Sequence, residues 1–118
     1  MQDDREDPIT EADSDDVQTG PHIAAEHSHG AQYTTRVRLK KPITRASAEM
    51  EPIAALYLRE PDAGDLRGVK LASLTQFDAG ELLELLPRIA MPRLSPAESA
   101  KLGLRDVINI GNAVAGFL

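Results

Sequence analysis

From Leu58 to Met91 the chain reads Leu58-Arg-Glu-Pro-Asp-Ala-Gly-Asp-Leu-Arg-Gly68 at one end and Leu82-Leu-Glu-Leu-Leu-Pro-Arg-Ile-Ala-Met91 at the other. The first piece has turn chemistry in Pro61-Asp62-Ala63-Gly64. Asp65 then reads as the N-cap of a short helical turn, Leu66 to Gly68. The second piece is the densest apolar patch in the protein: Leu82, Leu83, Leu85, Leu86 and Ile89. Leu82, Leu85, Leu86 and Ile89 recur at i, i+3, i+4, i+7, which is one face of a helix. Asp78-x-x-Glu81 supplies a capping box just ahead of the run. Pro87 breaks or kinks the helix near its end. Between the two pieces, Leu71, Leu74 and Phe77 have the spacing of another short helix. The chain has 118 residues, two Tyr, two Phe and no Trp. A domain this small and this poor in aromatics builds its core largely from the leucine patch.

Upstream the period changes from helical to alternating. In residues 35–44, Val37 and Leu39 fall on one face and Arg36, Arg38 and Lys40 on the other. This is the pattern of a half-buried strand. Pro42 removes a ladder donor, so the strand ends there or lies at an edge. A basic outer row keeps an edge strand from pairing with other chains, and it could also touch phosphate. Residues 45–52 are a connector closed by Pro52. Residues 53–60 give a second strand, with Leu56, Leu58 and Ala54 on one face and Tyr57 and Arg59 on the other. The two strands form an antiparallel hairpin, which needs helices packed on one face to persist in water.

Downstream, Ser95-Pro96-Ala97-Glu98 is the strongest local signal in the chain. Ser95 is an N-cap, Pro96 occupies the first helical position and Glu98 closes a capping box. Gly103 ends that short helix. A last helix spans about Leu104–Phe117. Leu104, Val107, Gly111, Val114 and Leu118 make its longer stripe, expected to face the domain. Ile110 and Phe117 make an offset stripe, expected to be at least partly exposed, and Gly111 and Ala115 would let another backbone come close. The fold class is α+β: a small antiparallel β-hairpin packed on a C-terminal bundle of short helices.

The charge separates two regions. Residues 1–34 hold nine acidic groups and one basic, a net of −8, whereas residues 35–118 carry +2. The first region has only isolated apolar residues, Ile9, Val17 and Ile23, and reads as a disordered acidic tail with at most transient helix near Pro8–Asp16. His22, His27 and His29 lie in it beside Glu26, and a flexible tail does not hold metal ligands in place. The expectation is therefore a disordered tail over 1–34, one domain over 35–118, and no metal and no cofactor. The chain has no Cys, which excludes disulfides, thiolate metal sites and a cysteine nucleophile. No apolar run approaches the roughly 20 residues that span a bilayer, and the acidic N-terminus is not a secretory signal. These features point to a soluble cytosolic protein. Outside the tail there is no His, and no phosphate-binding glycine motif is present, so no catalytic constellation forms.

Four pieces in order resemble the Mu-like tail assembly chaperones of contractile-tailed bacteriophages. They are Leu39-Lys-Lys-Pro-Ile43, Leu58 through Gly68, Leu85-Leu-Pro-Arg-Ile89 and Ala113-Val-Ala-Gly-Phe-Leu118. Together they cover about Val37 to Leu118, and the acidic tail lies outside the pattern. The resemblance implies a non-enzymatic protein made in an infected or lysogenic bacterium. It implies binding to the long, helical tape-measure protein, which is kept soluble until the tail tube polymerises. It also implies a location in the cytoplasm of the host, absence from the mature virion, and in many such phages a longer frameshift product. The family brings no catalytic or ligand residues to carry over.

Surplus apolar helix surface suits capture of an amphipathic partner helix. The candidate partner-binding residues are Leu82, Leu86, Ile89, Ile110 and Phe117. For the leucine stripe the plainer reading is core, and for Ile110 core is an equal alternative. Self-association, or association with a longer product, is the second partner expectation; neither nucleic acid nor membrane is expected. Competing functions are a structural component of the tail and, on the basic row of Arg36, Arg38, Lys40 and Lys41 alone, a small nucleic-acid-binding regulator.

Overall fold

Strand β2 (Tyr33–Ile43) is the longest strand and runs through the centre of the molecule. A computed structural model describes residues 16–27, 29–47 and 49–117. Tyr33, Thr35, Val37 and Leu39 of β2 are buried while Arg38 and Lys40 are exposed, as alternation demands. Strand β3 (Ile53–Arg59) pairs with β2 antiparallel, with Val37 opposite Leu56 and Thr35 opposite Leu58. The expected hairpin is therefore present, inside a larger sheet. Strand β1 (Val17–Thr19) adds to the outer edge of β2, and a two-residue strand β4 (Ala90–Met91) adds to β3. The four strands are antiparallel in the order β1-β2-β3-β4. The register shifts between Arg38 and Ile43, where Pro42 lies. After the shift Ile53 takes the inward place and Ala54 is exposed, although simple alternation put Ala54 inward.

Among the described residues the sheet is accompanied by α1 (Pro21–Glu26), α2 (Leu71–Thr75), α3 (Ala79–Ile89), α4 (Pro96–Ser99) and α5 (Leu104–Ala115). A 3-10 turn, Ala63–Leu66, follows β3. In α3, the Asp78 side chain accepts the Glu81 N–H at 3.1 Å, as the capping pattern predicts. The Glu81 carboxylate does not complete the box. It accepts the Lys70 N–H at 2.9 Å and so ties the start of α2 to α3. Pro87 sits inside the last turn of α3, and the helix runs on to Ile89. At α4 the full capping box forms: Glu98 N–H to Ser95 Oγ at 3.1 Å and Ser95 N–H to Glu98 Oε1 at 3.0 Å. Gly103, expected to end α4, is the N-cap of α5.

The core joins Val37, Leu39, Leu56 and Leu58 of the sheet to Leu82, Leu85, Leu86 and Ile89 of α3, with Ile110 and Val114 from α5. Leu85, Leu86, Ile89 and Ile110 have no exposed surface, and Leu82 has 3%. The disordered tail expected over 1–34 is corrected from residue 16 onward. Val17–Thr19 pairs with β2, and α1 buries Ile23 completely. His27 then stacks on Tyr57 with ring centroids 4.4 Å apart and contacts the Tyr33 carbonyl oxygen through Nε2 at 2.7 Å. Composition missed this because one isolated isoleucine and a three-residue strand hardly move an average that is dominated by acidic residues. The expectations for residues 1–15 and for Leu118 lie outside the described residues.

Candidate apolar binding groove

Arg59, at the end of β3, forks onto Asp65 of the 3-10 turn, with Nη1 to Oδ2 at 2.7 Å and Nη2 to Oδ1 at 3.0 Å. It also donates to the Arg88 carbonyl oxygen of α3 at 2.8 Å. Arg88 returns the link, donating to the carbonyl oxygens of Asp65 and Arg67 at 2.6 Å each. The hydrogen bond from Arg59 holds the Asp65 carboxyl below its ordinary value, and Asp65 in turn raises the pKa of Arg59. Bidentate charge-assisted contacts of this kind fix geometry as well as adding energy. The Leu58–Gly68 stretch thus works as a pin. It fastens the turn to β3 and α3, and so sets where α2 begins.

From that pinned turn α2 runs to Thr75 and stops at an unusual residue. Phe77 has φ +61°, the left-handed region that bulky side chains avoid. Its N–H donates to the Leu74 carbonyl oxygen at 3.0 Å, and the Asp78 N–H donates to the Ser73 carbonyl oxygen at 3.0 Å. This is a Schellman C-cap with phenylalanine where glycine is usual. The conformation lays the Phe77 ring over Gly111 of α5. A Cβ at Gly111 would come within 2.9 Å of the ring. The expected close approach at Gly111 is therefore real, and it admits a ring rather than a backbone. Ala115, the other small residue on α5, is exposed.

Phe77 stays 54% exposed on one rim of an open groove. The groove is about 380 Å³ and is lined by Phe77, Ala79, Leu82, Leu104, Val107, Ile108 and Asn112. Six of these seven residues are apolar, and none is charged. Leu104 is 78% exposed and Ile108 is 49% exposed, far above what large aliphatic side chains show in a core. The groove is therefore a contiguous exposed apolar surface. No lining group has the chemistry of a metal ligand set, and among the described residues no cluster of three or more His, Asp or Glu forms elsewhere.

Of the five partner-binding residues expected from sequence, Leu82 alone lines this groove. Leu86, Ile89 and Ile110 are wholly buried and offer no surface in the isolated chain. Leu82 is buried too, but its side chain forms part of the groove wall. Phe117 is half-buried and lines a separate polar cleft with Gln32, Thr34, Arg59, Glu60 and Asp62. Helix α5 is turned relative to the expectation: Asp106, Asn109, Ile110, Ala113 and Val114 face inward, and Leu104 and Ile108 face out. Asp106 shares that inward face. Its carboxylate accepts the backbone N–H groups of Lys40 at 2.8 Å and Lys41 at 3.0 Å, where β2 leaves its regular ladder. That contact and the burial of Ile110 and Val114 favour the same rotation. A signal was nonetheless present: Leu104 and Ile108 are spaced i, i+4 on α5, and Asn112 continues the row.

Residues 36–118 match a family model described as phage tail assembly chaperone proteins, E, or 41 or 14. Over 82 residues, 70% of this chain, the sequence is 35% identical to Tail assembly protein E of Escherichia phage P2, covering 87% of that protein. An alignment of the same length is 35% identical to Tail assembly protein E' of the same phage, covering 56% of it. No solved structure matches the chain. All the groove residues lie within the stretch that the family model matches, and β1 and α1 lie before it.

Proposed function

The chain belongs to the phage tail assembly chaperone family, and from that premise we propose that it binds the tape-measure protein and keeps it soluble while the tail is built. The groove between α2, α3 and α5 takes an amphipathic helix of that partner. It acts in the host cytoplasm and leaves before the virion is complete. The observation that carries this reading is Phe77, held half-exposed in a strained backbone conformation over Gly111. Strain of this kind persists only where the surrounding structure imposes it, and it concentrates at functional sites. The uncharged lining fits the apolar face of a helix, recognised through anchors at i, i+4 and i+7. The half-buried pin at Asp65 and the buried Asp106 contact tie the surrounding elements together and do not line the groove.

Co-expression with the tape-measure protein tests the proposal. The wild-type chain should hold that protein in the soluble fraction and co-purify with it. A Leu104→Glu, Ile108→Glu double variant should keep the wild-type circular dichroism spectrum and lose both effects. A double variant that still solubilises the partner would place the binding surface elsewhere. Persistence of the wild-type chain in purified particles would favour a structural tail component instead.

A further inference from the structure

The outer edge of β2 carries a second surface, and the chain covers it with its own residues. Strand β1 pairs there over only three positions: Val17 opposite Val37, Gln18 opposite Arg36, and Thr19 opposite Thr35. Three side-chain contacts extend the match. Arg36 donates to Gln18 Oε1. The Asp16 carboxylate reaches Arg38 at 3.3 Å and Lys40 at 2.9 Å. The Asp16 side chain is 4% exposed, whereas the side chains of Arg38 and Lys40 are 62% and 42% exposed. The basic row on β2 is thus only partly covered, by the single carboxylate of Asp16 at the start of a three-residue strand. The edge lies within the stretch that the family model matches, and its cover lies before that stretch.

We propose that the outer edge of β2 is a strand-addition site for an acidic, extended segment of a partner protein, and that residues 16–19 are an internal stand-in for that segment. In strand addition the backbone ladder supplies affinity and alternate side chains supply specificity. Here the ladder is open to any extended chain, and Arg36, Arg38 and Lys40 select for a carboxylate and a polar neighbour. A nucleic acid satisfies the cations but has no amide ladder to offer, so the site favours a peptide. The cover is built to lift. Gly20 has φ +130°, and a Cβ there would meet the His22 ring at 3.0 Å, so the chain turns sharply between β1 and α1. Beyond that hinge, Ile23 in the core and His27 on Tyr57 keep α1 anchored. Strand β1 can therefore leave the edge while the rest of the segment stays in place.

The test uses the full chain and a fluorescent peptide copying residues 13–20, followed by anisotropy. Asp16→Lys sets a cation against Arg38 and Lys40 and releases the cover without removing apolar contacts. This variant should bind the peptide at least about tenfold more tightly than wild type, and added salt should weaken the binding. A peptide carrying the same Asp16→Lys change should bind at least about tenfold more weakly than the unaltered one. Gln18→Pro, which removes the β1 ladder donor facing β2 and leaves the basic side chains of β2 in place, should also expose the site. Equal binding by wild type and both variants would overturn the proposal. So would full competition by a single-stranded oligonucleotide, which would make the row a general polyanion surface. A released chain that dimerises by exchanging β1, seen by light scattering, would make a second copy the occupant and overturn it too.

Discussion

Helices α3 and α5 both lie against the sheet and use their faces in opposite ways. Helix α3 buries Leu82, Leu85, Leu86 and Ile89 and leaves Glu84 outside. Helix α5 buries Asp106 and Asn109 along with Ile110 and Val114, and leaves Leu104 and Ile108 in solvent. The orientation of α3 follows from the hydrophobic effect alone. The orientation of α5 buries Ile110, Ala113 and Val114 and also brings the Asp106 carboxylate to two backbone N–H groups on β2. The difference shows that an apolar stripe facing solvent is permitted where a polar group fixes the opposite face. The stripe is then free to serve a partner.

The contrast can be broken most forcefully at α3. Leu85 is wholly buried, so Leu85→Ala should cost about 2–5 kcal/mol in chemical denaturation. A cost under about 1 kcal/mol would mean that α3 is not the centre of the core. Asp106→Asn comes next. It keeps the shape and one acceptor oxygen while leaving one β2 N–H poorly paired, and it should cost about 1–3 kcal/mol. If it costs nothing, the carboxylate does not set the rotation of α5.

Acid separates the charged pins from the apolar core. The hydrogen bond from Arg59 holds Asp65 below its ordinary 3.8, and the Ser95 N–H, followed by Arg45, holds Glu98 below its ordinary 4.5. A carboxylate whose folded pKa is lowered contributes stability that is present above the unfolded value and is lost as the pH falls through the folded one. Thermal stability should therefore be flat above about pH 5 and should decline as the pH drops below 4.5 and then 3.8. Asp65→Asn should flatten the lower part of that decline. An unchanged slope would mean that Asp65 titrates without linkage to folding.

The hairpin, the leucine face of α3 and the N-caps at Asp78 and Ser95 were legible in the sequence because each is a local pattern, whereas the cap expected at Asp65 falls on Asp62, with Asp65 inside the turn. Leu56, Leu58, Leu85 and Ser95 all sit as their spacing predicts. What was not legible depends on pairing across the chain. Asp106 meets Lys40 and Lys41 over 66 and 65 residues, and Asp16 meets Lys40 across β1, α1 and most of β2, so no local window contains either pair. The groove escaped for the same reason. Its rim combines Phe77 from the end of α2 with Leu104 and Ile108 from α5, whereas periodicity placed Leu104 inward and Ile110 outward.

The smallest expected effect on stability, and the sharpest on function, is at Phe77. Phe77→Gly relieves a left-handed backbone, which is worth about 1–2 kcal/mol to a residue with a Cβ. It also loses the ring from Gly111. Full burial of a phenylalanine contributes about 1.5–3 kcal/mol, and Phe77 is 54% exposed, so roughly half of that is at stake. Glycine also loosens the unfolded chain at a cost of about 0.5–1 kcal/mol. These terms nearly cancel, and Tm should move by no more than about 5 °C. Capture of the tape-measure protein should nevertheless fall sharply, because the groove loses one rim. A drop in stability above about 3 kcal/mol would show Phe77 to be core, and the exposed rim would disappear with it. If the variant is stable and still solubilises the partner, α5 keeps its outward leucine and isoleucine for some other contact, and the strain at Phe77 serves only to end α2.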